Sequence, residues 1–261
     1  MPIIKKVIPI LLLILFFLTI PLVNAQFKDP YQSTADKIVS MLNYNWQYAF
    51  YSYNQSIYAG ISSAQLQSSN LTFDPNNTNI GILSLAISSY DNLLSALDNA
   101  NVKNASYYLG QIIMLGIQAS NVFILKGFEN KTTAQFYSTV IRVALTGNIT
   151  VYKNYTVNGV IDAFQMIAKN DINAYMSMNI TAIKNKSLTP KDFDITTKLL
   201  SNNISIIFAL INQAINTHDI NAFYNEIYYI GIILSIIAVF LAYINVKRFK
   251  KYIKPRQQLK K

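Results

Sequence analysis

Two apolar runs, Val7 to Val23 and Ile227 to Val246, bracket this chain, and its net charge of +10 lies outside them. Lys5 and Lys6 precede the first run. Lys247, Arg248, Lys250, Lys251, Lys254, Arg256, Lys260 and Lys261 follow the second. Between the two runs, 12 basic and 12 acidic residues cancel. Basic clusters flanking membrane segments stay on the cytoplasmic side. The pattern therefore predicts a chain held in the membrane, with a neutral middle outside and a C-terminal tail inside.

The first run has a basic start, an apolar centre from Ile10 to Ile20, and closes on Val23-Asn24-Ala25. Small residues at that position are what signal peptidase accepts, so residues 1–25 read as a signal peptide. The second run, 227–246, has twenty residues without a charge. At ~1.5 Å per residue it is ~30 Å long, the thickness of a bilayer core. Tyr228, Tyr229 and Tyr243 lie near its ends, where aromatic rings favour the headgroup level. Gly231 and Ser235 are spaced four apart, as are Ala238 and Ala242, which predicts a face on which a second span could pack. Residues 247–261 form a short tail. In it Lys247, Arg248, Lys250, Lys251, Lys254 and Arg256 would meet anionic lipid headgroups.

The middle, 26–226, is long enough for a domain with its own core. The chain has no cysteine, which excludes a disulfide scaffold, thiol chemistry and cysteine metal sites. Ten asparagines begin Asn-x-Ser/Thr triplets: Asn54, Asn70, Asn76, Asn104, Asn130, Asn148, Asn154, Asn179, Asn185 and Asn203. That is about twice what random placement of these residue types gives, and on an external domain it predicts N-linked glycans. With the ends removed no basic footprint remains, so nucleic acid is not an expected partner. The abundance of Ile, Asn, Tyr, Ser and Leu, with few acids, resembles exported surface proteins of heat- and acid-loving archaea. That resemblance is one of style. It implies a surface carried by hydroxyl and amide groups and assigns no functional residue.

Periodicity predicts an all-α domain of αα-hairpins. Ile38, Leu42, Trp46, Ala49, Tyr53, Ile57, Gly60 and Ala64 recur at spacings near 3.7, which predicts one helix from Thr34 to Leu66 with an eleven-residue repeat. Its tyrosines, Tyr44, Tyr48, Tyr51 and Tyr58, read as packing residues. Further helices are expected over 80–101, 104–126, 133–145, 160–169, 171–186 and 190–216. Thr189 is the expected cap of the last, with Pro190 in its first turn. A small β-hairpin or an ordered loop is expected where Ile149–Tyr152 and Tyr155–Val157 flank Lys153-Asn154. Lys169-Asn170-Asp171-Ile172-Asn173-Ala174-Tyr175 resembles Thr217-His218-Asp219-Ile220-Asn221-Ala222-Phe223, with a weaker copy at 102–108. This repetition predicts three hairpin turns capped by Asp171, Asp219 and Asn104, the one at Asp219 leading directly into the membrane helix.

No catalytic, cofactor or metal site is expected. His218 is the sole histidine and reads as a solvated turn residue. Asp192 and Asp194 are a close acidic pair, but at a helix start their charge complements the helix dipole. Phosphate-binding, dinucleotide, nucleophile-elbow and metalloprotease motifs are absent. The leading expectation is an N-glycosylated, single-pass cell-surface protein with a structural or partner-binding role. Its partners would be the lipid bilayer, other membrane or surface-layer proteins, and further copies of itself through the span. An accessory or sensory subunit of a membrane complex and an archaeal virus envelope glycoprotein are the alternatives.

Overall fold

The computed structural model describes residues 29–147, 149–218 and 232–244. Over these residues the chain is a helical bundle. Its helices are α1 (Pro30–Ser40), α2 (Tyr44–Tyr51), α3 (Asn54–Ser68), α4 (Gly81–Asp98), α5 (Val102–Ala119), α6 (Lys131–Leu145), α7 (Val160–Ser177), α8 (Ile180–Lys184) and α9 (Pro190–Asn216). α5 is the central element. Leu109 to Ile117 are all buried, as expected of a helix that is apolar on every side. α3, α4, α7 and α9 pack around it, and α1, α2 and α6 close the remaining sides.

α3 crosses α5 with the two backbones in contact. A Cβ added at Gly60 would lie 1.9 Å from the Tyr107 carbonyl oxygen, and one at Gly110 would lie 2.1 Å from the Ile57 carbonyl oxygen. Glycine is present at both positions because no side chain fits there. α4 and α5 form one of the expected hairpins around Asn99–Asn101, but the cap is Asn101, whose side chain accepts the Asn104 N–H at 3.0 Å. The long connections are tied together by a single parallel bridge, in which Phe73 exchanges backbone hydrogen bonds with Ile124 and Lys126. The Lys126–Asp74 ion pair, 2.7 Å, closes the same junction and holds the Asp74 carboxyl below its usual range.

Three sequence expectations change, and a fourth falls partly outside the described residues. First, Thr34 to Leu66 is three helices, not one. The Asn43 side chain caps α2 by accepting the Trp46 N–H, and the Gln47 amide donates to the carbonyls of Ser40 and Leu42. These local bonds outcompete helix continuation. The buried positions were still correctly spaced, Tyr53 excepted, so the periodicity reported the core while missing the breaks.

Second, the β-hairpin does not form. Residues 149–158 run as an irregular segment along α9. The Thr150 and Tyr152 N–H groups donate to the hydroxyls of Ser201 and Ser205, at 3.2 and 2.8 Å. Gly159 N–H donates to the Gln213 side chain. Helix hydroxyls thus satisfy donors that a second strand would have taken.

Third, α7 runs unbroken through Asn170-Asp171, so Asp171 caps nothing. It lies inside the helix, fully buried. The break comes at Met178, where the backbone turns extended, and Asn179 then caps the short α8. Fourth, no helix among the described residues is long and apolar enough to cross a membrane. Residues 232–244 are helical with their apolar side chains exposed. The rest of the expected span, including Gly231, lies outside the described residues. So do the expected signal peptide, the basic tail and the Asp219 cap.

Candidate functional site: an exposed tyrosine stripe and a buried polar node

α2 is short, and two aromatic rings fix its orientation. Trp46 and Phe50, one turn apart, are buried and stacked with centroids 5.6 Å apart. That claims one face for the core and turns the opposite face outward. Tyr44, Tyr48 and Tyr51 lie on this outer face at i, i+4 and i+7, the first two 78% and 57% exposed. The packing role expected of these tyrosines is therefore overturned, because Trp46 and Phe50 already fill the helix's core-facing side. Tyr51 donates to the Asp36 carbonyl and Tyr58 to the Asp36 carboxylate at 2.8 Å. The signal was present in the sequence: an Asn cap at 43 followed by Trp and Phe four apart places Tyr44, Tyr48 and Tyr51 on the other side.

A second polar feature is internal. Asp171 on α7, Asn203 on α9 and Ser120 at the end of α5 meet in the core. The Asn203 amide donates to Asp171 Oδ1 at 3.0 Å and to Ser120 Oγ at 3.1 Å, and the Asn170 amide donates to Asn203 Oδ1 at 2.9 Å. Asp171 Oδ2 has no partner. Burial pushes the Asp171 carboxyl well above the ordinary carboxylate value, and the bond from Asn203 offsets only part of that. Helix-face spacing is the signal in the sequence that marks both positions, and the cap-like motif at Asp171 masks it. Asp171 follows Ile167 by four, and Asn203 stands midway between Leu199 and Ile207.

The other candidate residues are placed as follows. Asp192 is buried at the start of α9 in a reciprocal cap. Thr189 Oγ1 donates to Asp192 Oδ2 at 2.6 Å and accepts the Asp192 N–H, and the Asn179 N–H donates to Oδ1 at 2.8 Å. Burial opposes its charge, but these hydrogen bonds outweigh burial and keep its carboxyl below the ordinary value. Asp194 is exposed, so the two carboxylates do not form a pair. Thr189→Ala should cost about 1 kcal/mol of stability, the worth of a lost N-cap, measured as a shift in the denaturation midpoint. His218 is not a free turn residue. Its Nδ1 faces the Ala214 carbonyl at 2.6 Å and its Nε2 faces Asp98 at 3.1 Å, which clamps the end of α9 to the end of α4.

Among the sequons, Asn70, Asn76, Asn104, Asn154, Asn179 and Asn185 are exposed, and Asn54 and Asn130 are half-buried. Asn130 and Asn179 also cap α6 and α8. Asn148 lies outside the described residues. Asn203 is 1% exposed and fully engaged in the node, so a glycan there is incompatible with this packing. Of the small residues of the expected span, Ser235, Ala238 and Ala242 are exposed on the 232–244 helix. A cleft of about 500 Å³ opens between the start of α1 and the end of α6. Lys37, on its wall, donates to the Ile149 carbonyl, and no acid or histidine lines it. Among the described residues no three His, Cys, Asp or Glu side chains come together to hold a metal. No protein-family model matches the chain, and no similar curated protein is found.

Proposed function

We propose that this chain is a single-pass cell-surface protein whose helical bundle stands outside the membrane and acts by holding a partner rather than by catalysis. The outward Tyr44–Tyr48–Tyr51 stripe on α2 carries this reading. Tyrosine supplies large, rigid contact area with a polar tip at small entropic cost, which is why it is enriched where proteins meet. A stripe held in place by a buried tryptophan is already organised for contact. The membrane half of the proposal rests on Ile232 to Tyr243, an apolar helix that buries none of its large side chains against the bundle. The basic cluster from Lys247 onward would hold the tail in the cytoplasm, since each cation costs about 2.5–3.5 kcal/mol at the centre of a membrane helix. Asn70, Asn76, Asn104 and Asn154 are the exposed sequons best placed to carry glycans.

Two measurements test it. Protease added to intact cells should digest the bundle and spare a tag placed after Lys261. Cutting of that tag from outside would invert the topology. A photo-crosslinker at Tyr48 should capture a discrete membrane or surface protein, or a second copy of this chain. Tyr44→Ala/Tyr48→Ala should abolish a crosslink made from neighbouring Tyr51. Each tyrosine should contribute no more than about 0.5 kcal/mol to stability, as exposed positions do. An unchanged crosslink pattern in the double variant would remove α2 as the partner face. Glycopeptide mapping should find no glycan at Asn203.

A further inference from the structure

Asp171 is the carboxyl in the described core whose chemistry conflicts with its surroundings; the other buried side-chain atom without a partner there, Ser106 Oγ, carries no charge. It is 0% exposed, one oxygen accepts a single neutral hydrogen bond, and the other faces no partner. A carboxylate in that position would lack the several donors or the cation that a buried charge needs. A neutral carboxylic acid leaves only one hydroxyl unsatisfied, a far smaller penalty.

The surrounding elements supply no counter-charge. α9 brings Asn203, and its Lys198 side chain is exposed. α5 ends on Ser120. α6 brings the Tyr137 hydroxyl, whose ionisation burial opposes. That hydroxyl is engaged with Thr196 at 2.9 Å. The buried face of α4 carries Tyr90 as its ionisable group, and on α7 itself Lys169 is exposed. Loss of the Asp171 proton would therefore create a buried charge whose only bonded donor is Asn203, the same amide that joins α9 to Ser120.

We propose that the Asp171–Asn203–Ser120 node is an acid-set latch, which holds α7, α9 and the end of α5 together at acidic pH and releases them as the pH rises toward neutrality. The sign follows from linkage. The closed state keeps a proton that the open state, with its carboxyl in water, gives up above about pH 4. Closure is therefore fully favoured below that value, and is lost at up to about tenfold per pH unit as pH rises toward the node's own titration. Asp192, whose carboxyl is held low, acts oppositely, and only below about pH 4. The window from pH 4 to 8 separates the latch from Asp192, and Asp171→Asn separates it from every other group, the His218–Asp98 contact included.

The test uses the full chain in detergent micelles. Thermal midpoints and hydrogen exchange are followed from pH 4 to 8 for the wild type and for Asp171→Asn, which keeps the shape and the acceptor for Asn203 but cannot ionise. The wild-type midpoint should fall with rising pH, with intrinsic-rate-corrected exchange rising first in α7, α9 and the end of α5. The variant should be flatter in pH and more stable than the wild type at pH 8. A wild-type profile that is flat over this window would overturn the proposal, as would an Asp171→Asn profile parallel to the wild type. Should the variant fail to fold, the wild-type exchange map decides: opening spread evenly over the bundle, or absent from α7 and α9, sinks the latch.

Discussion

Gly110→Ala is expected to cost more stability than ordinary overpacking, which is about 1–3 kcal/mol. The reason lies in what the new methyl group meets. At Gly110 it would fall 2.1 Å from a backbone oxygen of α3, and at Gly60 1.9 Å from a backbone oxygen of α5. A side chain can rotate away, whereas a carbonyl inside a helix cannot without breaking its own hydrogen bond. The two helices would have to separate along the most extensive contact in the bundle. Gly116 is the control within the same helix. Its added Cβ would meet the side chain of Ile207 at 2.4 Å, and an isoleucine can shift rotamer, so Gly116→Ala should be milder. Gly127 is the second control. It has φ +87° but open space around it, so alanine there should carry only backbone strain of about 1 kcal/mol. Denaturant midpoints for the four single variants should rank Gly60 and Gly110 first, Gly116 next and Gly127 last. Equal losses at Gly110 and Gly127 would show that α3 and α5 do not touch at their backbones.

The same glycines show how far the sequence could be read. Gly60 was legible as a member of a buried helical face, because spacing reports which side of a helix faces inward. Spacing cannot report how near the partner lies, and the close crossing depends on a second glycine fifty residues away. The α9 boundaries were legible to the residue, since Thr189, Pro190 and Asp192 form a complete start signal of local origin. The Asp171 turn was misread for the opposite reason. Asp is a good cap, and its local motif resembled a second turn, but burial against Asn203 is a long-range fact that overrides a local preference. The irregular 149–158 segment was read correctly as not helical. Its partner was not legible, because serine hydroxyls on a helix leave no strand pattern in the sequence. Of the candidate surface, the tyrosines were visible and their direction was not, since flanking aromatics on a helix taken as one long element read as packing residues, whereas on the short α2 the Trp46 and Phe50 rings take the core side.

Trp46→Ala is the test that separates these two faces. Trp46 is 2% exposed, and removing a buried tryptophan side chain typically costs about 3–5 kcal/mol through lost burial and the cavity left behind. The loss should concentrate locally. α2 has 8 residues, too few to persist as a helix without tertiary packing. Its Asn43 cap satisfies one N–H but supplies no burial. Without Trp46, only Phe50 and the small Ala49 would hold the helix against the core, and hydrogen exchange over 44–51 should rise toward that of open chain before the rest of the bundle melts. Tyr44→Ala on the outer face should leave both stability and α2 exchange near wild type. If the stripe is the contact face, Trp46→Ala and Tyr44→Ala/Tyr48→Ala should both lose the partner, the first by releasing α2 and the second with α2 still in place. A Trp46→Ala chain that melts like the wild type, with α2 still protected, would mean that Phe50 suffices to hold the helix, and the account of what turns the tyrosines outward would fail with it.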